Sequence, residues 1–293
     1  MQLKGSKILV TGCDGFIGSH LIEYLKKKKA SVFGFDIRDG DIATVDLKRK
    51  YQEVDVVIHL AAKTFVPESW NNPVAYYHTN FMGTLNVLEF CRTRKCSLIY
   101  LNTYVYGVPN YLPIDELHTT VSNTPYNHGK MLAEDLCEFY GANMEIDITV
   151  LRIFNVYGPQ QSEKFLIPEI ILQALDSSKD AIVVNDLLPR RDYIYVSDLV
   201  IAIEKAIERL GGFSVYNIGS GRSYSVKEVI DIVQSCAGTD KKVMTRDIVR
   251  KNEVLDVYAD ISKASKELGF VPLHAMVDGI TETLKGMSSE EGE

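Results

Sequence analysis

The sequence lacks an apolar stretch of about 20 residues, the length that a membrane-spanning helix requires. It also lacks an excess of positive charge, because the 293 residues carry a formal net charge of -7 at pH 7. A protein that binds nucleic acid by neutralising phosphates needs the opposite balance. The one basic run, residues 26–29, lies at the end of the first predicted helix, where cations suit the helix dipole. We therefore expect neither a membrane nor a nucleic acid as partner.

Cysteines are few, and their number is odd. The five are Cys13, Cys91, Cys96, Cys137 and Cys236. Their spacing fits no metal-ligand pattern, and the sequence shows no signal peptide. Because unpaired thiols are typical of reducing compartments, we expect a cytoplasmic protein with reduced cysteines and no bound metal ion.

Short apolar runs alternate with helical patterns through the first half of the chain. The predicted strands are residues 7–11, 31–36, 55–60, 97–101 and 148–153, and the predicted helices are residues 16–28, 74–93 and 126–140. Apolar runs of this kind are typical of parallel strands that helices cover on both faces. The sequence therefore predicts an α/β fold with a doubly wound parallel sheet.

Three glycines, Gly12, Gly15 and Gly18, stand between the first predicted strand and the first predicted helix, with Phe16 and Ile17 among them. Glycines at this spacing allow a tight turn, a close approach of the backbone to a pyrophosphate, and close packing of helix on strand. The helix N-terminus then faces the negative charge. The pattern indicates a dinucleotide site in a sheet of the Rossmann type.

Asp36 ends the second predicted strand, where a carboxylate can accept both ribose hydroxyls of an adenosine and repels a 2′-phosphate. It therefore favours NAD as the cofactor. Arg38 is the argument for NADP, because it is able to pair with a 2′-phosphate.

Two further segments are expected beside the cofactor. Asp46-Leu47 would follow a short third strand and flank the adenine. Leu60-Ala61-Ala62 follows the strand predicted at 55–60, where small residues let a cofactor pass over the backbone. Simple packing explains the alanines nearly as well.

The pattern changes near residue 157, where Tyr157-Gly158-Pro159 interrupts it and the later elements become shorter. We expect residues 1–156 to form the NAD-binding domain, residues 157–286 a smaller α/β lobe that binds substrate, and residues 287–293 a flexible tail. Segments 194–196 and 215–218 are candidates to return strands to the main domain. The cleft between the two parts would hold the substrate.

Tyr126 and Lys130 open a predicted helix at a spacing that puts both on one face. A free tyrosine has a pKa of about 10, which a nearby lysine and a bound nicotinamide cation lower. Tyr126 is therefore the candidate for proton transfer at a sugar hydroxyl, with Lys130 as its partner. Thr103, at the end of a strand upstream, would position the substrate oxygen.

With these motifs the chain resembles the extended short-chain dehydrogenase/reductases, in the branch of nucleotide-sugar epimerases and dehydratases. The matching segments run from Val10-Thr11-Gly12 through His59-Leu60-Ala61-Ala62, Asn80, Val105-Tyr106-Gly107, Arg152-Ile153-Phe154-Asn155 and Arg191-Asp192-Tyr193 to Tyr216-Asn217-Ile218-Gly219. The resemblance covers nearly the whole chain. It implies that Asn80 belongs to the cofactor site, and that Asn155, Arg191 and Arg250 hold the diphosphate of a nucleotide sugar.

The chain departs from the family at two places. The strand before Val105-Tyr106-Gly107 is one residue short, so counting from the strand puts Thr103 on the catalytic position, whereas counting back from the glycine puts Asn102 there. We prefer Thr103, because a hydroxyl fits the task. Near Arg250 the sequence is Arg-Lys-Asn-Glu where the family often has Arg-Pro-Gly-Asp, which makes Arg250 the least certain of the diphosphate ligands.

The residues after Thr103 bear on the reaction. The family's dehydratases carry an Asp-Glu pair there, and this chain has Tyr104-Val105. The resemblance thus favours an NAD-dependent nucleotide-sugar epimerase that acts at C4 through a transient 4-keto sugar. The alternatives are a reductase of 4-keto-6-deoxy sugars, an atypical dehydratase that uses Tyr104 as its acid, and an NAD-sensing regulator without catalysis.

The resemblance also implies a homodimer, since in the family two helices from each subunit form a four-helix bundle. Helices 74–93 and 126–140 carry more apolar residues than one sheet face needs: Phe81, Leu85, Leu88, Met131, Leu132, Leu136 and Phe139. The alternative is that all of them face the subunit's own core. His128 and Lys63 are expected to lie at the periphery of the site, although Lys63 is also placed to contact a phosphate.

Overall fold

The computed structural model describes residues 1–247 and 254–290, with side chains as far as residue 287. In the first half the elements are β1 (Lys7–Thr11), α1 (Phe16–Lys27), β2 (Ser31–Phe35), α2 (Leu47–Lys50), β3 (Val56–His59), α3 (Val66–Asn71), α4 (Pro73–Tyr77), α5 (Gly83–Arg94), β4 (Ser97–Thr103), α6 (Pro125–Asn143) and β5 (Ile148–Ile153).

The second half has shorter strands and several long helices. Its elements are β6 (Asn155–Tyr157), α7 (Leu166–Leu175), β7 (Ala181–Val184), β8 (Arg190–Tyr195), α8 (Val196–Glu208), β9 (Phe213–Ile218), β10 (Ser223–Ser225), α9 (Val226–Ala237), β11 (Lys242–Thr245), β12 (Asp256–Val257), α10 (Ser262–Leu268) and α11 (Met276–Glu290).

Six parallel strands form the main sheet in the order β2-β1-β3-β4-β5-β9. One face packs on α1, α8 and α10, with Leu21 and Leu199 in its core. The other face packs on α2, α5 and α6, with Leu88 and Ala133 in its core. Strands buried on both faces explain the unbroken apolar runs of the sequence. The predicted doubly wound parallel sheet is confirmed.

The smaller lobe is built around β8, which pairs with β6, β10 and β12, beside a two-stranded pair of β7 and β11. Its core lies between α7, α9 and α11. Of the two segments with an open assignment, 215–218 lies in β9 at the edge of the main sheet, whereas 194–196 ends β8 and starts α8. The chain after residue 157 therefore alternates between lobe and main domain.

Two local predictions need correction. The helix expected at 74–93 is interrupted by a π-helical turn at His78–Met82, which joins α4 to α5. The third strand expected before Asp46 is absent from the described residues. A capping box between Asp36 and Asp39 closes a 3-10 turn at Ile37–Asp39 there, and turns follow. This local hydrogen bonding competes with strand formation.

Candidate active site

A cleft of about 1080 Å³ lies at the carboxyl ends of β1, β2, β3, β4 and β5, the usual ligand position in doubly wound sheets. Thirteen of the predicted site residues line it: Gly12, Gly15, Phe16, Ile17, Gly18, Asp36, Leu60, Ala61, Ala62, Thr103, Tyr126, Lys130 and Asn155. The structure thus brings the glycine turn and the Tyr-Lys pair to one cavity, although they lie far apart in the sequence.

The glycine turn requires glycine for steric reasons. Gly12 has a φ of +73°, and a Cβ there would stand 2.8 Å from the backbone nitrogen of Ala61. A Cβ on Gly18 would overlap the carbonyl oxygen of Gly12. The first turn of α1 contains no acidic residue, and no side chain caps it. Its amide groups therefore suit the pyrophosphate of a dinucleotide.

The Asp36 carboxylate is fixed at the end of β2. It accepts hydrogen bonds from the backbone N–H groups of Asp14 (2.9 Å) and Ile37 (2.7 Å). Arg38, which the sequence offered as a phosphate ligand, pairs with the carboxylate of Asp14 at 2.9 Å. A fixed acid and a paired arginine fit an adenosine ribose with free hydroxyls, as in NAD.

Three predicted cofactor residues do not line the cleft. Asp46 caps α2 by accepting the Arg49 N–H, and Leu47 is buried in the core behind the sheet. Asn80 is 1% exposed. Its side chain accepts from the Lys63 N–H at 2.8 Å and donates to the Lys63 carbonyl oxygen at 3.0 Å. Asn80 therefore shapes the turn after β3 and does not itself face the cavity.

Tyr126 lies in the first turn of α6 and is half-buried, with its ring edge-on to Tyr76 at 6.4 Å. Burial raises the pKa of Tyr126 to about 12, and a hydrogen bond from Thr103 offsets part of this rise. The hydroxyl is protonated at neutral pH in this environment. Positive charge placed against it would lower the pKa toward the range of a useful base.

Lys130 lies one turn further along α6 and is buried. Its Nζ donates to the carbonyl oxygen of Leu101 at 2.6 Å and lies 4.2 Å from the ring centre of Tyr100. Burial lowers the pKa of Lys130 to about 7, since desolvation disfavours the ammonium form. The residue is therefore poised to gain or lose its proton near neutral pH.

The structure separates the two candidates for the catalytic hydroxyl position. Successive side chains on a strand point to opposite faces. Both residues border the cleft, and Thr103 lies beside Tyr126. The Asn102 side chain is 1% exposed and donates to the carboxylate of Glu134 inside α6. This geometry favours Thr103 over Asn102 for the catalytic hydroxyl position.

The positions after Thr103 hold no acid. Tyr104 lines the cleft and stacks on Phe154 with ring centres 4.8 Å apart, and Val105 is fully buried. His128 reaches Tyr77 on α4 at 2.9 Å, away from the cleft, as expected. Lys63 lines the cleft with its Nζ 5.9 Å from the ring centre of Tyr76.

The residues expected to hold a diphosphate are only partly assembled. Asn155 lines the cleft and donates to the carbonyl of Asp192 at 3.0 Å. Arg191 does not line it, because its guanidinium donates to the carbonyl oxygens of Arg190 (2.8 Å) and Val254 (2.7 Å). Arg250 lies outside the described residues.

Sequence reasoning missed several residues of the cleft. Asp41 and Ile42 line it near Asp36, and Asp41 pairs with His78 at 2.8 Å. Gln161, Ser162 and Phe165 line it from the segment between β6 and α7. Asp41-Ile42, like Asp46-Leu47, is an acidic residue followed by an apolar one. A prediction with the turn after β2 in its correct place would have identified Asp41-Ile42 as the segment at the cleft.

The cleft therefore combines a glycine turn suited to a dinucleotide with a tyrosine and a lysine on one helix face. The family model described as "NAD dependent epimerase/dehydratase family" matches residues 8–219. A putative UDP-glucose 4-epimerase of Methanocaldococcus jannaschii is 33% identical over 96% of this chain and 98% of that protein.

Two solved structures extend the comparison. The UDP-glucose 4-epimerase of Thermotoga maritima with UDP-glucose has a TM-score of 0.90 and 27% identity, over 97% of this chain and 99% of that one. The UDP-glucuronic acid 4-epimerase of Bacillus cereus with UDP-glucuronic acid and NAD has a TM-score of 0.87 and 30% identity, with the same coverage.

This chain belongs to the NAD-dependent epimerase/dehydratase family. The resemblance inferred from the sequence is confirmed, and with it NAD as the cofactor and an enzyme of the nucleotide-sugar epimerase branch. In residues 1–247 and 254–290, no helix is both long and apolar enough to cross a bilayer.

Proposed function

We propose that the protein is an NAD-dependent 4-epimerase of UDP-sugars. The observation that carries the proposal is the juxtaposition of Thr103, Tyr126 and Lys130 with the glycine turn in one cleft, with no carboxylate on Tyr104 or Val105. Both solved relatives above are 4-epimerases described with a UDP-sugar.

The chain's own residues would act as follows. Tyr126 takes the proton of the sugar 4-hydroxyl and later returns it, while Thr103 hydrogen-bonds the same oxygen. Lys130, one helical turn from Tyr126, favours the phenolate when its amine is protonated. The glycine turn and Asp36 would hold NAD, which would supply hydride acceptance and return at C4 of the sugar.

The lack of an acid pair argues against the family's dehydratase chemistry. Elimination of water requires a proton donor and a base beside the sugar in addition to the tyrosine. The stacked ring of Tyr104 and the buried Val105 provide no carboxylate at that place. Asp36, fixed by two backbone amides, argues against an NADPH-consuming reductase.

We further propose that the smaller lobe binds the nucleotide diphosphate through Asn155, Arg191 and Arg250. Guanidinium groups suit a diphosphate because they donate paired hydrogen bonds. Arg191 would exchange its two carbonyl partners for phosphate oxygens, which charge-assisted bonds favour.

We propose a cytoplasmic location on the basis of the reduced cysteines.

A homodimer through α5 and α6 is the third part of the proposal. Of the apolar residues named for this surface, Leu88 is fully buried in the subunit's own core, whereas Phe139 is 53% exposed. Met82, next to Phe81, is 42% exposed. A bundle of these helices would bury the exposed side chains and hold the Tyr126 helix rigidly from its outer side.

The test is a panel of UDP-glucose, UDP-glucuronic acid and UDP-N-acetylglucosamine, followed by proton NMR of the products. We expect the C4 epimer of at least one sugar to form without net change in NAD or NADH. Consumption of NADPH would point to the reductase, and a 4-keto-6-deoxy product would point to the dehydratase. Tyr126→Phe is the matched control, because it removes one oxygen atom and keeps the ring.

A further inference from the structure

Three consecutive residues at the end of β4 contact the helix that carries the catalytic pair. The carbonyl of Leu101 accepts from Lys130, and the Thr103 side chain lies close enough to Tyr126 to lower its pKa. Between them, Asn102 donates from Nδ2 to the carboxylate of Glu134. Residues 126, 130 and 134 share one face of α6 because they are four apart. Of these three residues, Asn102 is the one whose contact, with Glu134, has no role in the chemistry proposed above.

The Asn102 side chain makes a second bond, to the backbone of its neighbour. Its Oδ1 accepts the N–H of Thr103 at 2.8 Å. One buried amide therefore holds the peptide of Thr103 on one side and the catalytic helix on the other. A side chain that bridges two elements in this way fixes their relative position more firmly than apolar packing does.

Glu134 is itself held in place. Arg152, which stands opposite Asn102 in the β4–β5 register, donates to the Glu134 carboxylate from Nε at 3.1 Å and also from Nη2. The Nη1 of Arg152 donates to the Tyr106 hydroxyl at 2.8 Å. The opposite charges of Arg152 and Glu134 are paired in this buried contact, and the Glu134 carboxylate also accepts from Asn102.

Resting on the proposed function, we propose that Asn102 is a positioning residue, which sets Thr103 against Tyr126 through its bond to Glu134. Both ends of its amide are taken up by Glu134 and the Thr103 N–H, which makes it a positioning group and not a catalytic one. An apolar residue at this position would leave an oxygen of Glu134 and the N–H of Thr103 without these partners. A displacement of about 1 Å between reacting groups costs on the order of a hundredfold in rate.

The variant Asn102→Asp turns this contact into a pH-controlled one. The introduced carboxyl keeps the acceptor for the Thr103 N–H, but it donates to Glu134 only when protonated. Adjacent carboxylates raise each other's pKa; Arg152 on β5 is the cation that faces them, and Lys130 on α6 is a titrating amine with a pKa of about 7. We expect kcat to fall ten- to a hundredfold at pH 9, with a smaller loss at pH 6 and an unchanged KM.

The double variant Asn102→Asp with Glu134→Gln reverses donor and acceptor and keeps the charge of the cluster. The introduced glutamine amide now donates to the introduced carboxylate at every pH, so kcat should recover at least tenfold at pH 9 and the alkaline decline should vanish. A merely structural role would not produce this recovery, because each change alone weakens the network.

Asn217→Asp is the matched control. Asn217 is equally buried on β9 and bonds Tyr106 and Ile114 but not α6. We expect Asn217→Asp to lower the free energy of unfolding but not to add a decline of kcat at alkaline pH. Thermal unfolding of all variants separates lost fold from lost positioning.

Crystal structures of Asn102→Asp and the double variant at pH 9 give a readout that needs no substrate. We expect the Thr103–Tyr126 contact to open in the single variant and close again in the double variant. An unchanged contact in the single variant would overturn the proposal, as would a normal kcat at pH 9. If the contact opens as expected but the wild type epimerises no UDP-sugar, the proposed function fails and the positioning role stands.

Discussion

The free energy of unfolding should rise with pH because of Lys130, and the substitution Lys130→Met should remove this contribution. Burial lowers its pKa from 10.5 to about 7 in the folded state. Between these values the unfolded chain binds a proton that the folded chain does not. Stability must therefore rise with pH, since its slope follows the protons bound in the unfolded minus the folded state.

The magnitude follows from the size of the shift. Each pH unit between about 7 and 10.5 contributes up to about 1.4 kcal/mol, because one pKa unit corresponds to that free energy. From pH 7.5 to 9.5 the wild type should gain about 2–3 kcal/mol relative to Lys130→Met. The methionine fills a similar volume and carries no titrating group. The lost bond to Leu101 adds an offset that does not vary with pH.

Urea unfolding at pH 7.5, 8.5 and 9.5, with bound nucleotide removed, measures this difference directly. Every other titrating group is shared by the two proteins, so its contribution cancels. A difference in unfolding free energy that stays flat across the three pH values would refute the argument, because it would show that Lys130 keeps its charge in the fold.

Three further predictions concern the cofactor, the proton relay and the assembly. Asp36→Ala should narrow the preference for NAD over NADP by about tenfold, the worth of a charged hydrogen bond, and tighter NADP binding by the wild type in a fluorescence titration would contradict this. Tyr126→Phe should lower kcat on the order of a hundredfold or more and Thr103→Ala by less, with folds verified by circular dichroism. Phe139→Lys should weaken the dimer in sedimentation, whereas a wild type that sediments as a single species near 32.9 kDa would remove the dimer from the account.

The parts of the site that short-range patterns control were predictable. Gly18 lies so close to the carbonyl oxygen of Gly12 that a Cβ would not fit, so only glycine is possible at this position of the turn. Tyr126 and Lys130 share a helix face whatever surrounds them. Parallel strands end at one edge, which is why distant motifs could be expected in one cleft.

The parts that depend on irregular backbone were not predictable. Asp46 was misplaced because the 3-10 turn after Asp36 and the turns that follow replace an expected strand and bring Asp41 to the cleft instead. The orientation of Arg191 follows from the carbonyl oxygens of neighbouring chain segments, which have no local signature. Asn80 was expected at the cofactor, yet its amide holds the turn behind the cleft, a role visible only from the contact itself.

The central claim is reversible oxidation at C4 of a UDP-sugar in the cleft of Thr103, Tyr126 and Lys130. The most direct measurement incubates the protein with UDP-glucose or UDP-glucuronic acid deuterated at C4 and follows the label by NMR. We expect the epimer to keep its deuterium at C4, because the transferred deuteride never leaves the site. We expect Tyr126→Phe to form the epimer at least on the order of a hundredfold more slowly. Loss of the deuterium to water during epimerisation, or its appearance at C6 of a deoxy sugar, would contradict it.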